Sequence, residues 1–147
     1  FSQAKIYTID TFERVQAKDL PCLENNRVQW AKLDSTSENC NSHFKNQGIK
    51  FDIIIDDGLH TPEGQRLTFE RLFEFLKPTG SYYIEDVWML DKVDRNHHWI
   101  TSHPNDFTMD KYNKLISVIS EQEVTHHNFS SKAVPDSYIL KIKWKHS

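Results

Sequence analysis

Glycine is scarce in this chain. It occurs only at Gly48, Gly58, Gly64 and Gly80. None of these falls in a G-x-G-x-x-G or P-loop pattern, which argues against a phosphate-cradling loop of either kind. Cysteine is scarcer still. Cys22 and Cys40 form no C-x-x-C pair, so a disulfide framework is not expected, and two thiols in a reducing, cytoplasmic setting is the plain reading. No apolar run approaches the ~18 residues of a membrane helix, and the first residues lack the basic-then-apolar order of a leader. Neither sign of charge dominates: the formal net charge is −3. A broad basic face for nucleic acid is therefore not expected. The reading is of a protein with neither a nucleic-acid nor a membrane partner.

What is present fits a globular fold. Hydrophobic residues make up 37% and charged residues 27% of 147 positions. A chain of that size buries roughly 70% of its unfolded surface. No repeat or Pro/Gly/Ser-rich linker divides it. The first residue is Phe1, only a few positions ahead of a strand-like segment. Residues 1–147 are accordingly read as a single, partial domain, truncated at its N-terminal side.

Apolar periodicity sets out the elements. Residues 4–9 read as a strand ending at Asp10, 11–20 as a weak helix stopped near Pro21, and 27–33 as a strand ending at Asp34. A loop and short helix follow over 35–45, broken by Gly48. Residues 51–55 form a nearly continuous apolar run, as in a parallel strand covered on both faces, and end in Asp56-Asp57-Gly58. Thr61 and Pro62 announce a helix with a capping residue and a first-turn proline. Phe69, Leu72, Phe73 and Leu76 give it one apolar stripe, and Pro78 and Gly80 its end. Residues 81–84 read as a strand ending in Glu85-Asp86, whereas 88–105 have no clean period. Thr108 caps a helix with Tyr112, Leu115, Ile116 and Ile119 on one side. Strands over 123–129 and 137–144, joined by a turn at Pro135-Asp136, complete the order. The expected fold is α/β: a mostly parallel, Rossmann-like sheet covered by helices on both faces, closed by an antiparallel C-terminal pair.

Each of the first four strands ends in an acid: Asp10, Asp34, Asp56-Asp57 and Glu85-Asp86. Aspartate is common there because it caps turns. A whole row of such acids points instead to the ligand rim of an open α/β sheet, outside the strands' carboxyl ends. Asp10 suits a ribose diol, and Asp34 with Ser35 an adenine amino group. Neighbouring acids such as Asp57 and Asp86 suit a hard cation such as Mg²⁺.

Residues 51–60, Phe-Asp-Ile-Ile-Ile-Asp-Asp-Gly-Leu-His, resemble the fourth-strand motif of class I S-adenosylmethionine-dependent methyltransferases of the macrolide-type sugar O-methyltransferase branch. The likeness continues through Gln65, Thr68, Phe69, Leu72, Phe73, Leu76-Lys77-Pro78-Thr79-Gly80 and Ser81-Tyr82-Tyr83-Ile84-Glu85-Asp86. It is looser over 4–35 and only topological over the last 40 residues. The family usually has Ser where Leu59 stands and Gly-Gly where Thr79-Gly80 stands. The resemblance implies S-adenosylmethionine as cofactor, with Mg²⁺ assisting, and a small-molecule hydroxyl compound as substrate. It implies that Asp10 binds the cofactor's ribose, Asp34 and Ser35 its adenine, and that Asp56 lies near its methionine part. It makes Asp57 and Asp86 metal ligands and His60 the catalytic base. It also sets a first strand, its helix and its glycine-rich loop upstream of Asp10, and a third acidic ligand there too. The chain is therefore expected to begin at the fold's second strand.

The remaining histidines, His97-His98, His103 and His126-His127, lack zinc spacing and read as solvated. Lys141, Lys143, Lys145 and Arg27 read as protection of a strand edge. Phe69 and Phe73 read as core. Two functions stay open. One is a Mg²⁺-assisted O-methyltransferase. The other is a non-catalytic, methyltransferase-like module that forms a homo-oligomer through an unpaired strand.

Overall fold

The computed structural model describes residues 3–130 and 135–145. Among these residues six strands and four α-helices follow in the order β1 (Ile6–Asp10), β2 (Val28–Lys32), α1 (Glu38–Gln47), β3 (Phe51–Asp56), α2 (Pro62–Leu72), β4 (Leu76–Val87), α3 (His98–Ser102), α4 (Met109–Ile119), β5 (Glu123–Asn128) and β6 (Tyr138–Lys143). β1 and β2 form one parallel pair. A second sheet has the order β3-β4-β6-β5, with β3 and β4 parallel and β6 antiparallel to both neighbours. The mixed α/β architecture with its antiparallel C-terminal pair matches the sequence reading. No hydrogen-bonded register joins β1 to β3 among the described residues.

Local chemistry sets the helix ends. The side chains of Ser37, Thr61 and Thr108 each accept from a backbone N–H of the helix that follows, satisfying a donor with no intrahelical partner. Pro62 occupies the first turn of α2. Gly48 stops α1 at φ 63°, where a side chain would be strained.

The core lies on one face of the larger sheet. Ile54, Tyr82, Ile84, Leu140 and Ile142 bury that face together with Phe69, Leu72, Tyr112, Leu115 and Ile119 of α2 and α4. Burial of each such side chain contributes about 1.5–3 kcal/mol. The opposite face is not covered. Ile53 is 45% and Ile55 61% exposed, although both stand on a parallel strand. The expected cover of helices on both faces is thus found on one face only among the described residues.

Three element readings also change. Residues 11–20 hold no α-helix: 3-10 turns cover Ala17–Asp19 and Pro21–Glu24, and Pro21 opens the second turn rather than ending a helix. α2 ends at Leu72, and Leu76 begins β4, which continues through Pro78 and Gly80. A bulge accommodates them: Phe51 pairs with Leu76, but Ile53 pairs with Ser81. A Cβ on Gly80 would come within 2.8 Å of the Asp52 carbonyl oxygen. Finally, Lys141 and Lys143 lie on β6, an interior strand, so they do not guard an edge. Lys141 extends over the Tyr83 ring at 5.8 Å. The turn at Pro135-Asp136 forms as expected.

The β1–β2 pair is anchored by rings and one hydroxyl bridge. Tyr7 meets Phe51 edge-on with ring centroids 5.5 Å apart, and Phe51 meets Phe44 of α1 at 5.3 Å. At the other end, the Ser35 and Thr68 hydroxyls are 2.9 Å apart. The starts of β1 and β3 therefore lie together, and the loop after β2 reaches the helix that follows β3.

Candidate functional site

The acids do not all have the same surroundings. Asp10 accepts a short hydrogen bond from the backbone N–H of Phe12, which has a positive φ of 51°. Asp34 accepts from the N–H of Thr36 at 2.9 Å and from its hydroxyl at 2.7 Å. Both carboxylates thus close turns within their own loops, and both remain at the rim.

Ser35, beside Asp34, faces another way. Its hydroxyl pairs with Thr68 and lies 3.5 Å from where a Cβ on Gly58 would stand. That Cβ would also lie 3.2 Å from Asp56 Oδ1. Glycine at this position lets the loop after β2, the carboxylate of Asp56 and the turn after β3 approach one another.

Asp56 is 5% exposed. It accepts from the Gly58 N–H at 3.2 Å and from the fully buried Tyr82 hydroxyl at 3.5 Å. Loss of hydration pushes its carboxyl up from 3.8 to about 7, against the lowering effect of the Gly58 N–H, His60 and Tyr82. A carboxyl titrating near neutrality, at a strand end, is the marked electrostatic feature of this rim.

Beside it Asp57, His60 and Asp86 converge. His60 Nε2 lies 3.1 Å from Asp57 Oδ1, and Nδ1 lies 3.6 Å from Asp86 Oδ2. One ligand atom from each residue fits within 4.8 Å of the other two. Asp57 and His60 share the short turn between β3 and α2. Asp86 comes from the end of the parallel neighbour β4 and has a φ of 50°, a left-handed conformation uncommon for aspartate. α2 presses on this turn: Thr61 caps Gly64, and a Cβ on Gly64 would come 2.5 Å from the Cβ of Leu59. All three side chains stay open to solvent on one side. Two carboxylates and a histidine in this arrangement offer hard oxygen donors to a divalent cation and a base beside them.

Of the residues singled out in the sequence, Asp57, His60 and Asp86 thus form one cluster. Asp56 lies directly beneath it, Ser35 approaches it through Gly58, and Asp10 and Asp34 lie along the β1–β2 rim. The His97 and His98 rings lie 4.5 Å apart, tilted by 42°, but no other cluster of three or more such ligands occurs among the described residues. Cys22 and Cys40 are free thiols. No helix among the described residues is long and apolar enough to cross a membrane. A shallow cavity of about 80 Å³ opens against Tyr7, Ile9, Ala31, His43 and Phe44, and none of the strand-end acids lines it. Gln65 and Thr68 carry no role in the sequence reading beyond the likeness, yet both are buried polar side chains of α2 bonded to this rim.

No family model matches the chain. Its curated relatives include demethylmacrocin O-methyltransferase of Streptomyces fradiae, 33% identical over 88 residues, which is 60% of this chain and 21% of that protein. They also include mycinamicin VI 2''-O-methyltransferase of Micromonospora griseorubida, 30% identical over 88 residues with the same shares. The chain matches only about a fifth of the length of these relatives. Among solved structures, a mycinamycin-pathway methyltransferase in complex with Mg and SAH superposes with a TM-score of 0.61 at 21% identity, covering 97% of this chain and 37% of that one. The fibrillarin pre-rRNA processing protein of Methanococcus jannaschii gives a TM-score of 0.63 at 15% identity, covering 99% of this chain and 58% of its own. The chain has the Rossmann-like fold of class I methyltransferases, and its sequence relatives carry the names of O-methyltransferases.

Proposed function

We propose that this chain is part of an S-adenosylmethionine-dependent O-methyltransferase that acts on a sugar or similar small hydroxyl compound with Mg²⁺ assistance. The observation that carries the reading is the convergence of Asp57, His60 and Asp86 beside the buried Asp56. Its relatives carry names of enzymes that methylate sugar hydroxyls, and a structural neighbour was solved with Mg, SAH and mycinamycin VI.

In this reading Asp10 accepts from the ribose hydroxyls of the cofactor, and Asp34 with Ser35 contacts the adenine. Asp56 faces the charged amino-acid end, where an ammonium group favours its ionised form. Asp57 and Asp86 would hold the cation, and that ion would supply Lewis-acid polarisation of an acceptor hydroxyl. The donor set fits: carboxylate oxygens with open sides suit a small cation that keeps several waters. His60 takes the proton from the acceptor hydroxyl. S-adenosylmethionine would supply the methyl group to that oxygen, its sulfur leaving with the carbon–sulfur electron pair as a neutral thioether. No covalent enzyme intermediate is needed, so placement dominates the rate.

His60→Ala tests the base. It is expected to lower turnover by roughly 10²–10⁴-fold while cofactor binding is retained, and an unchanged rate removes His60 from the chemistry. One observation favours a second reading, a non-catalytic module that self-associates. Ile53 and Ile55 project from β3, whose far edge has no hydrogen-bonded neighbour among the described residues. A lack of SAH binding together with a dimer in light scattering would select that reading.

A further inference from the structure

Gln65 and Thr68 stand one turn apart on α2 and are 2% and 1% exposed. Buried polar side chains must be paired, and these two are paired at the site rather than within the helix. Gln65 Nε2 donates to the carbonyl oxygen of Glu85 at 3.0 Å and to that of Asp86 at 3.4 Å.

Those two carbonyls have a particular relation. The Glu85 carbonyl belongs to the peptide plane before the Asp86 Cα, and the Asp86 carbonyl to the plane after it. One nitrogen bonded to both therefore restrains both rotations about that Cα. The restrained residue is the one whose φ is 50°. For a residue with a Cβ that conformation is strained and persists only when its surroundings hold it. The amide is itself held. Gln65 lies in the first turns of α2, its backbone N–H donates to Thr61 at 2.9 Å, and its side chain is enclosed.

We propose that Gln65 is a positioning residue. Its buried amide clamps the peptide planes on either side of Asp86 and so aims that carboxylate at His60 and Asp57. The proposal rests on the reading of these three residues as the working site. Thr68, a turn along, pairs with Ser35 and leaves Asp86 untouched. It is the natural control, equally buried and equally polar.

Gln65→Met keeps the bulk of the side chain and removes the donor. Gln65→Asn, one methylene shorter, answers the same question if the first variant does not fold. Two properties are read on the purified chain. The first is the backbone torsion of Asp86 in metal-free protein, from NMR chemical shifts. The second is Mn²⁺ affinity, from electron paramagnetic resonance. The variant is expected to release Asp86 from positive φ and to weaken Mn²⁺ by about 10–100-fold, the usual cost of losing an outer-shell partner. Thr68→Val is expected to lower the melting temperature without moving either readout. An Asp86 still at positive φ in folded Gln65→Met, or Mn²⁺ bound as tightly as before, overturns the clamp. A parent chain that binds no Mn²⁺ overturns the metal reading instead, and the torsion measurement still decides the clamp.

Discussion

Ser35 and Thr68, 33 residues apart, share a hydroxyl–hydroxyl hydrogen bond of 2.9 Å. It links the loop after β2 to the helix after β3, across a two-stranded and a four-stranded sheet that share no backbone register among the described residues. The loop that the proposed function assigns to the adenine is thereby tied to the same helix that carries Gln65. Thr68→Val is expected to cost about 1–2 kcal/mol in urea unfolding. It should also weaken SAH several-fold in calorimetry and leave Mn²⁺ affinity unchanged. Equal loss of both ligands would mean that the helix acts as a whole rather than through separate contacts.

The buried Asp56 gives the chain a pH signature. Its folded pKa, about 7, lies above the ordinary 3.8 because burial disfavours the charge. Its contribution to stability is therefore fully present below about pH 4 and is lost as pH rises through about 7. The displacement is worth roughly 4 kcal/mol at most. Asp56→Asn is expected to remove that loss, so that the variant gains on the parent between about pH 4 and 7 in thermal melts. A constant difference across that range would show that Asp56 is ionised throughout.

The turn between β3 and α2 leaves no room at Gly64, where a Cβ would stand 2.5 Å from Leu59 Cβ. Gly64→Ala is expected to cost about 1–3 kcal/mol by overpacking and to displace Leu59 and His60. Ala at the exposed Leu59 itself should restore much of the loss only if the turn can move outward. Denaturant unfolding of the single variants and the double variant checks both statements.

Much of this was legible in the sequence. Thr61-Pro62 and Thr108 mark helix starts, and the structure places a cap at each. The acid-ended strands marked the rim, and Asp57 with His60 are close because they share one turn. Asp86 joins them because β3 and β4 are parallel neighbours, as the row of acid-ended strands already implies. The α2 stripe was read one turn late. The helix's buried positions include Gln65, Thr68, Phe69 and Leu72, at i, i+3, i+4 and i+7. Two of those are polar, so an apolar count slid toward Leu76, which is buried too, but in a strand. Polar residues in step with a buried stripe were the available signal for the site's supports. The bulge at Pro78 and Gly80 had no such signal, because proline and glycine usually end elements rather than bend them.

The division of labour among Asp57, His60 and Asp86 is the central claim, and Mn²⁺ binding to three variants tests it most directly. Asp57→Asn and Asp86→Asn are each expected to weaken Mn²⁺ by at least about tenfold, whereas His60→Ala should leave affinity nearly unchanged because His60 serves as a base beside the ligands. A loss in His60→Ala as large as in the acid variants would contradict the account and make His60 a ligand.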